Sequence, residues 1–129
     1  MQYPLIGHDA EQSPTIRLYV PQRGVEWRCL QELVYVEGHH NYSWLHWTDA
    51  PKLLVPYTIK RFAEKLPITC FGRIHRKFMI NYHFVTAWDL RVKASSAVLS
   101  TGVNLPISRR YRAVIKQTTA ENKGLLVVS

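Results

Sequence analysis

The sequence predicts a single domain with a mostly β fold and two short α-helices. Three observations predict it: short apolar segments alternate with turn sequences, only two segments have the apolar spacing of a helix, and 129 residues are enough to bury one core. No apolar run approaches the ~20 residues that span a bilayer, and the N-terminus lacks the pattern of a secretory signal. We therefore expect a soluble, cytoplasmic chain.

The first half of the chain has the pattern of strands joined by turns. Residues 15–20 and 25–29 flank the sequence PQRG, and residues 33–37 and 42–48 flank GHHN. Both connections are turn sequences by composition, so each pair of segments is expected to form a hairpin. A further strand is predicted at residues 53–58.

Helical spacing begins in the segment TIKRFAEKL, where apolar residues recur at i, i+3, i+4 and i+7 from Ile59. Thr58 is suited to cap the start of this helix, and Pro67 ends it. The segments FVTAWDLRV, SAVLS and VNLPIS then predict three more strands, with a tight turn at Gly102. A second helix is predicted to begin at Ser108.

Positive charge is concentrated in the second half of the chain. The sequence has 17 Lys and Arg against 9 Asp and Glu, a formal net charge of +8. Residues 1–64 carry a net charge of −1, whereas residues 65–120 carry +9, with Asp89 as their single acid. Because six of these ten cations are arginines, which suit forked contacts with phosphate and guanine, the pattern predicts a polyanionic partner.

The segment FGRIHRKFMIN, residues 71–81, mixes cations with large apolar side chains. Alternation in a strand would put both kinds of residue on both faces, whereas helical spacing separates them. A helical turn would place Phe71, Ile74 and Phe78 on one side and Arg73, Arg76 and Lys77 on the other. We therefore predict an anchored helical turn that presents a basic ridge.

Three arginines crowd the first turn of the second helix, at positions 109, 110 and 112. Cations there are disfavoured by ~0.3–1 kcal/mol each because the helix dipole is already positive at this end. A bound phosphate would reverse that penalty. The alternative is that these side chains extend into water or pair with distant carboxylates such as Glu37 or Asp89. The scarcity of acids in this half favours the bound anion.

The run FGRIHRKFMINYHFV, preceded by VYVEGHHNYSWLHW and followed about thirty residues later by LPISRRYR, resembles the LytTR DNA-binding domain over roughly residues 15–116. The resemblance implies an elongated, mostly β arrangement of small antiparallel sheets with short helices. It also implies sequence-specific binding of double-stranded DNA by a bacterial transcription regulator, of the kind found in two-component response regulators. Loops rather than a recognition helix are expected to enter the grooves, and no enzymatic activity or cofactor is expected.

In such domains three elements approach DNA, and together with the two arginine clusters they give the predicted site. It consists of His39, His40, Asn41, Tyr42 and Ser43, then Arg73, His75, Arg76 and Lys77, and finally Ser108, Arg109, Arg110 and Arg112. Arg76 and Arg109 fall where the family places base-reading side chains, and an arginine can form a fork with guanine. Lys77 and Arg110 suit phosphates, and Asn81 is interpreted as a residue that stabilises a turn.

The predicted organisation is a flexible arm at residues 1–14, a LytTR-like domain at 15–118 and a C-terminal tail at 119–129. The tail is apolar and is compatible with an extra strand, a subunit contact or disorder. Family members commonly bind tandem direct repeats as adjacent copies and carry an N-terminal receiver or sensor domain. We therefore expect self-pairing on DNA, with no membrane and no small-molecule substrate. A receiver does not fit here, so the chain either acts alone or is part of a longer protein.

Other classes of function are less well supported. His40 and His46 can share a strand face, but there is no HExxH, no GxSxG and no phosphate-cradling glycine loop, so no metal is expected. Cys29 and Cys70 are predicted to be buried, reduced thiols. The main alternative is an RNA-binding or single-strand-binding β module, since one of the tryptophans in WLHW could stack on bases. A basic protein-interaction domain is a further alternative.

Overall fold

The structure is a computed structural model that describes residues 4–120 and 126–128. Its strands are β1 (Leu5–His8), β2 (Pro14–Val20), β3 (Gly24–Cys29), β4 (Leu33–His39), β5 (Tyr42–Trp47), β6 (Leu53–Val55), β7 (Phe71–His75), β8 (Phe78–Asn81), β9 (Val85–Asp89), β10 (Ser96–Leu99), β11 (Asn104–Pro106) and β12 (Leu126–Val128). Its α-helices are α1 (Ile59–Lys65) and α2 (Arg109–Ala120), and single 3₁₀ turns occupy Leu30–Glu32 and Tyr82–Phe84. Neither α-helix in this part of the chain is long and apolar enough to cross a bilayer. The predicted mostly β fold with two short helices is confirmed.

The strands form three small sheets. The first has the order β1-β2-β3, the central sheet has the order β6-β5-β4-β8-β7, and the third has the order β11-β10-β9-β12. Pairing is antiparallel except between β12 and β9, which run parallel. The chain therefore builds its sheets mainly from hairpins between neighbouring strands, as the turn sequences predict.

The central sheet is buried on both faces, and this decides how its sequence is patterned. Leu33 and Met79 belong to a core shared with the first sheet and α1, while Val34 and Ile80 belong to a second core shared with the third sheet and α2. Successive residues point to opposite faces of a strand. A strand that is covered on both sides therefore has apolar residues at consecutive positions instead of a clean alternation.

Helix α1 forms as the sequence predicts. The Thr58 side chain accepts a hydrogen bond from the backbone N–H of Arg61 (3.2 Å), which caps the helix start. Phe62 is fully buried in the first core. The helix ends at Lys65, two residues before Pro67. The tight turn at Gly102 is also present, with the Gly102 N–H bonded to the Leu99 carbonyl oxygen.

Residues 71–81 form a β-hairpin, so the predicted helical turn is wrong. Phe71 and Ile74 are buried on opposite faces of the central sheet, because residues three apart in a strand point to opposite faces. A bulge between Arg73 and His75 then shifts the register of β7 against β8. Phe78 is half-buried. The three-residue spacing between Phe71 and Ile74 thus arises from a strand that contributes to a core on each face, and the apolar spacing alone does not distinguish that arrangement from a helix.

Both ends of the chain contribute strands. Residues 5–8 lie within the segment that the sequence analysis assigns to a flexible arm, yet they form β1 and pair with β2. In the tail, Leu126–Val128 pairs with β9, which corresponds to the extra strand among the three alternatives. Residues 1–3, 121–125 and 129 lie outside the described part of the chain.

Candidate nucleic-acid interface

The two predicted DNA-contacting turns lie side by side at one end of the central sheet. His39 pairs with Tyr42 across the β4–β5 hairpin, and the turn between them consists of His40 and Asn41. The Gly38 N–H donates to the carbonyl oxygen of Lys77 in the neighbouring β7–β8 turn (2.7 Å). The central sheet thus holds both turns in a fixed relation.

The start of α2 is attached to the same region. The Ser108 N–H donates to the Ile74 carbonyl oxygen (2.9 Å), one residue before His75 at the end of β7. The Ser108 carbonyl oxygen accepts from the N–H groups of Tyr111 and Arg112, which begins the helix. Two main-chain hydrogen bonds therefore connect three elements that extend over more than sixty residues of the sequence.

The side chains at the tips of these three elements are exposed. Those facing solvent are His39, His40, Asn41 and Tyr42 in the first turn, Arg76 and Lys77 in the second, and Arg109 and Arg110 at the start of α2. The Arg110 guanidinium lies over the ring of Tyr111, 5.4 Å from its centroid. We call this set of eight residues the basic end. It combines four cations with three exposed rings, a composition suited to phosphate and base edges.

His40 adopts a backbone conformation that favours glycine. Its φ of 57° lies in the left-handed region, which costs a residue with a Cβ about 1–2 kcal/mol. The antiparallel pairing of β4 with β5 on either side of the turn offsets this free-energy cost. This backbone turns the chain sharply and directs the His40 and Asn41 side chains into solvent.

Arg73 shapes the second turn rather than extending into solvent. Its Nε donates to the carbonyl oxygen of His75 (2.9 Å), and its Nη2 donates to the carbonyl oxygen of Arg76. The predicted ridge of Arg73, Arg76 and Lys77 is therefore corrected: Arg73 folds back across the hairpin, while the other two are exposed. A guanidinium can hold two carbonyl oxygens because its donors form a rigid fork.

His75 completes the same turn. Its Nδ1 accepts a hydrogen bond from the Lys77 N–H (3.1 Å), so the ring proton lies on Nε2. Burial lowers the pKa of His75 below its ordinary value, and the positive charges of Arg76, Lys77 and Arg73 lower it further. The ring is consequently neutral at pH 7, which preserves Nδ1 as an acceptor for the Lys77 N–H.

Three predicted site residues are engaged within the protein. Ser43 is fully buried, and its hydroxyl donates to the Tyr57 carbonyl oxygen (2.7 Å), so it is not available to DNA. The half-buried Arg112 donates through Nε to the Leu90 carbonyl oxygen (2.9 Å), which anchors α2 on the third sheet. Ser108 is half-buried and acts through its main chain.

The carboxylates suggested as partners for the α2 arginines are engaged elsewhere. Arg91 Nη2 lies 2.6 Å from Asp89 Oδ2, and this hydrogen-bonded ion pair lowers the pKa of the Asp89 carboxyl group. Glu37 binds His46 at 3.0 Å. Within residues 4–120 neither acid neutralises the basic end, which leaves its positive charge for an external anion.

His46 belongs to a packed cluster rather than to a metal site. Its ring stacks on that of Tyr35, with the ring centroids 3.9 Å apart. Its Nε2 is hydrogen-bonded to Glu37 Oε1 (3.0 Å). Burial lowers the pKa of His46, and this effect outweighs the opposing influence of Glu37. The described residues contain no group of three or more histidines, cysteines or acids placed to bind a metal ion.

The cysteines and tryptophans also have defined places. Both cysteines are free, but Cys70 is exposed and Cys29 is only half-buried, so the prediction of two buried thiols is wrong. Cys70 follows Pro67 in a hydrogen-bonded turn on the surface. Trp47 is buried in the first core, whereas half-buried Trp44 lies under Lys52, 4.5 Å from the ring centroid. The Lys52 contact covers part of the ring that an unpaired base would need.

Two residues outside the predicted set of DNA contacts support this site. Gly72 lies in β7, and a Cβ there would come within 1.8 Å of the Tyr82 hydroxyl oxygen, so only glycine lets Tyr82 cross the hairpin. A glycine inside a strand is a sequence signal of such a close approach. Asn81 stabilises a turn, as the sequence predicts: its side chain donates to the Leu33 carbonyl oxygen (2.9 Å) and accepts from the His83 N–H.

Comparison with known families gives the context of this geometry. The sequence model of the LytTr DNA-binding domain matches residues 27–120, which is most of the chain. The chain belongs to the LytTR DNA-binding domain family. The match spans all three elements of the basic end and begins within β3. The LytTR domain of this chain is thus preceded by β1, β2 and the start of β3.

A solved structure has the same fold as this LytTR domain. It is a LytTr DNA-binding domain from Bacillus cereus, described as part of a methyl-accepting/DNA response regulator. The two chains are 18% identical and superpose with a TM-score of 0.70, over 81% of this chain and 95% of the other. Among curated proteins, no sequence matches this chain. The small antiparallel sheets predicted from the LytTR resemblance are confirmed.

Proposed function

We propose that this LytTR domain binds a specific double-stranded DNA sequence as part of a bacterial, cytoplasmic transcription regulator. The observation that carries the proposal is the basic end: three elements fixed to one another by main-chain hydrogen bonds present Arg76, Lys77, Arg109 and Arg110 to solvent. Family membership supports DNA as the partner. The chain has no role as an enzyme in this proposal.

Arg76 and Arg109 are proposed as the base readers. Each is exposed, and each lies beside a residue whose main chain is fixed by a hydrogen bond between elements, so little backbone conformational entropy is lost on binding. A guanidinium fork on O6 and N7 of guanine discriminates against a wrong base by about 1–3 kcal/mol. Lys77 and Arg110 are proposed to bind phosphates, which positions the domain without reading sequence.

The other predicted site residues are proposed to contribute in two ways. His39, His40, Asn41 and Tyr42 form a turn that lies against the DNA, in contact with backbone or base edges. Arg73, His75, Ser108, Arg112 and Ser43 hold the contacting elements in place through the bonds described above. This division follows from which side chains are exposed and which are engaged within the protein.

Self-pairing on tandem direct repeats is proposed as the binding mode, with residues 15–118 as the DNA-binding unit. Direct repeats place the two copies in the same orientation. The two copies therefore contact each other head to tail, through a different surface on each copy. Two-component signalling is proposed as the setting in which this domain acts.

The test is selection of bound duplexes from a random pool by the full chain at moderate salt. Enrichment of one motif supports the proposal, and two copies in the same orientation support pairing on direct repeats. Failure to enrich any duplex, with retention of single-stranded RNA instead, would indicate the stacking module. Binding of neither, or binding without salt dependence, would indicate a protein-interaction domain.

A further inference from the structure

A cavity of about 650 Å³ lies at the end of the central sheet away from the basic end. It is bordered by Phe71 at the start of β7 and Asn81 at the end of β8, whereas the turn between these strands carries Arg76 at the other end. Thr48, just after β5, also lines it, while the other end of β5 adjoins His40. The cavity is therefore separate from the proposed DNA contacts.

The size and walls of this cavity suit a small organic molecule. Ligand pockets in proteins measure about 300–1,000 Å³ and are mainly apolar, with a few polar groups that orient the ligand. Here Leu30, Phe71 and Phe84 provide apolar walls, with Pro14 and Pro67 at the sides. Phe71 belongs to the first core, so this wall is held by packing.

Glu32 is the one carboxylate among the polar residues that line the cavity, which also include Gln31, Thr48, Asn81 and His83. Glu32 lines the cavity, and the Thr48 hydroxyl donates to its Oε2. The Thr48 N–H also donates to the Glu32 carbonyl oxygen (3.0 Å), which holds the two residues together. Within the described residues, the second carboxylate oxygen makes no hydrogen bond and Glu32 has no ion pair. A cationic donor on a ligand would satisfy it.

We propose that this cavity is a binding site for a small apolar molecule with one amine cation. Its ring packs against Phe71 and Phe84, and its ammonium group donates to Glu32. An anionic ligand of the same shape is disfavoured by the carboxylate. The site stands apart from DNA recognition, and its existence does not depend on the proposed function.

The test is a titration of the full chain with three aryl amines, tryptamine, phenethylamine and 1-naphthylmethylamine, followed by amide NMR shifts. We expect saturable shifts at Phe71, Phe84 and Glu32 with at least one amine. Tryptophol and indole-3-acetate are the matched probes for tryptamine, with a neutral and an anionic group, and should bind about tenfold or more weakly.

The Glu32→Gln variant tests the contribution of the carboxylate to binding separately from that of the apolar walls. Glutamine retains an oxygen for the Thr48 hydroxyl, so the fold is preserved, and the variant should bind the amine about tenfold more weakly with tryptophol unchanged. Cys70 lines the cavity and reports on its location. In a Cys29→Ser background, the bound amine should slow alkylation of Cys70 by iodoacetamide.

Three results would overturn the proposal. The first is that none of the amines saturates, and the second is that Glu32→Gln binds the amine as tightly as the unmodified chain. The third is that the shifts map to the β7–β8 turn with Cys70 unprotected, which places the amine at the basic end. Retained binding of duplex DNA by the same samples shows that the outcome concerns the cavity alone.

Discussion

The main-chain N–H of Ser108 donates to the carbonyl oxygen of Ile74, 2.9 Å away. Ile74 is fully buried in the second core, and Ser108 immediately precedes α2. The bond therefore fixes Arg109, the first residue of α2, relative to the β7–β8 turn that carries Arg76. Two arginines on separate elements can read one DNA site only if their spacing is constant, and this bond supplies that constraint.

Replacing Arg76 or Arg109 by alanine should weaken the specific DNA site far more than a random duplex. Loss of a guanidinium fork on guanine removes about 1–3 kcal/mol, so affinity for the selected site should fall about 5- to 150-fold. Binding titrations on both duplexes measure this. Arg23→Ala is the matched control, because Arg23 is an exposed arginine paired with Glu26 in the first sheet. Equal losses on both duplexes would make the residue a phosphate contact.

Lys77→Ala should lower affinity for all duplexes by a similar factor. An ammonium that binds phosphate carries no sequence information, and its removal should reduce the slope of log affinity against log salt by about 1. Titrations at several salt concentrations give this slope. Lys60→Ala serves as the control, since Lys60 is an exposed lysine on α1. A specific site weakened more than random DNA would assign Lys77 to base readout.

Arg73→Lys should destabilise the β7–β8 turn although the charge is kept. Lysine cannot hold the His75 and Arg76 carbonyl oxygens as a fork, so we expect a loss of about 1 kcal/mol in the free energy of unfolding. Denaturant titration measures the loss, and DNA binding should weaken because Arg76 is less well positioned. The control is Arg23→Lys. Unchanged stability with unchanged DNA affinity would contradict the structural role of Arg73.

Stability should fall as the pH drops below about 6.5, because of His75 and His46. Both folded-state pKa values are lowered, so the unfolded chain binds more protons in the window between the folded value and about 6.5, and stability rises with pH there. His75→Asn keeps an acceptor for the Lys77 N–H without titrating.

The His75→Asn variant should therefore reduce the pH dependence of the unfolding midpoint between about pH 5 and 7. His46 accounts for part of the remaining pH dependence, so adding His46→Gln to His75→Asn should reduce the pH dependence of the unfolding midpoint further. A profile that His75→Asn leaves unchanged would show that His75 has the same pKa in both states.

Much of the fold follows from local sequence. The hairpins around PQRG and GHHN, the capped helix after Thr58 and the turn at Gly102 form as predicted, because each depends on neighbouring residues. Local pattern does not predict β1 and β12 as definite strands, since short edge segments gain their order from pairing with β2 and β9. Pairing of this kind is set by tertiary contacts.

The sequence predicts the composition of the candidate site but not its geometry. The excess of arginine in the second half, and the motifs shared with the LytTR family, select the three elements from sequence alone. Exposure and hydrogen bonding then separate Arg76 and Arg109 from Arg73, Arg112 and Ser43. Residue type does not carry that distinction, because a guanidinium binds a protein carbonyl oxygen as readily as a phosphate.

The sequence by itself determined a mostly β domain, its hairpins, its basic second half and its family. The tertiary structure alone decided that residues 71–81 form a bulged hairpin between two cores, and that Gly38 and Ser108 connect three distant elements through main-chain bonds. Strand pattern and turn chemistry act over a few neighbouring residues. Burial on both faces of a sheet, and hydrogen bonds across it, exist only once the strands have assembled.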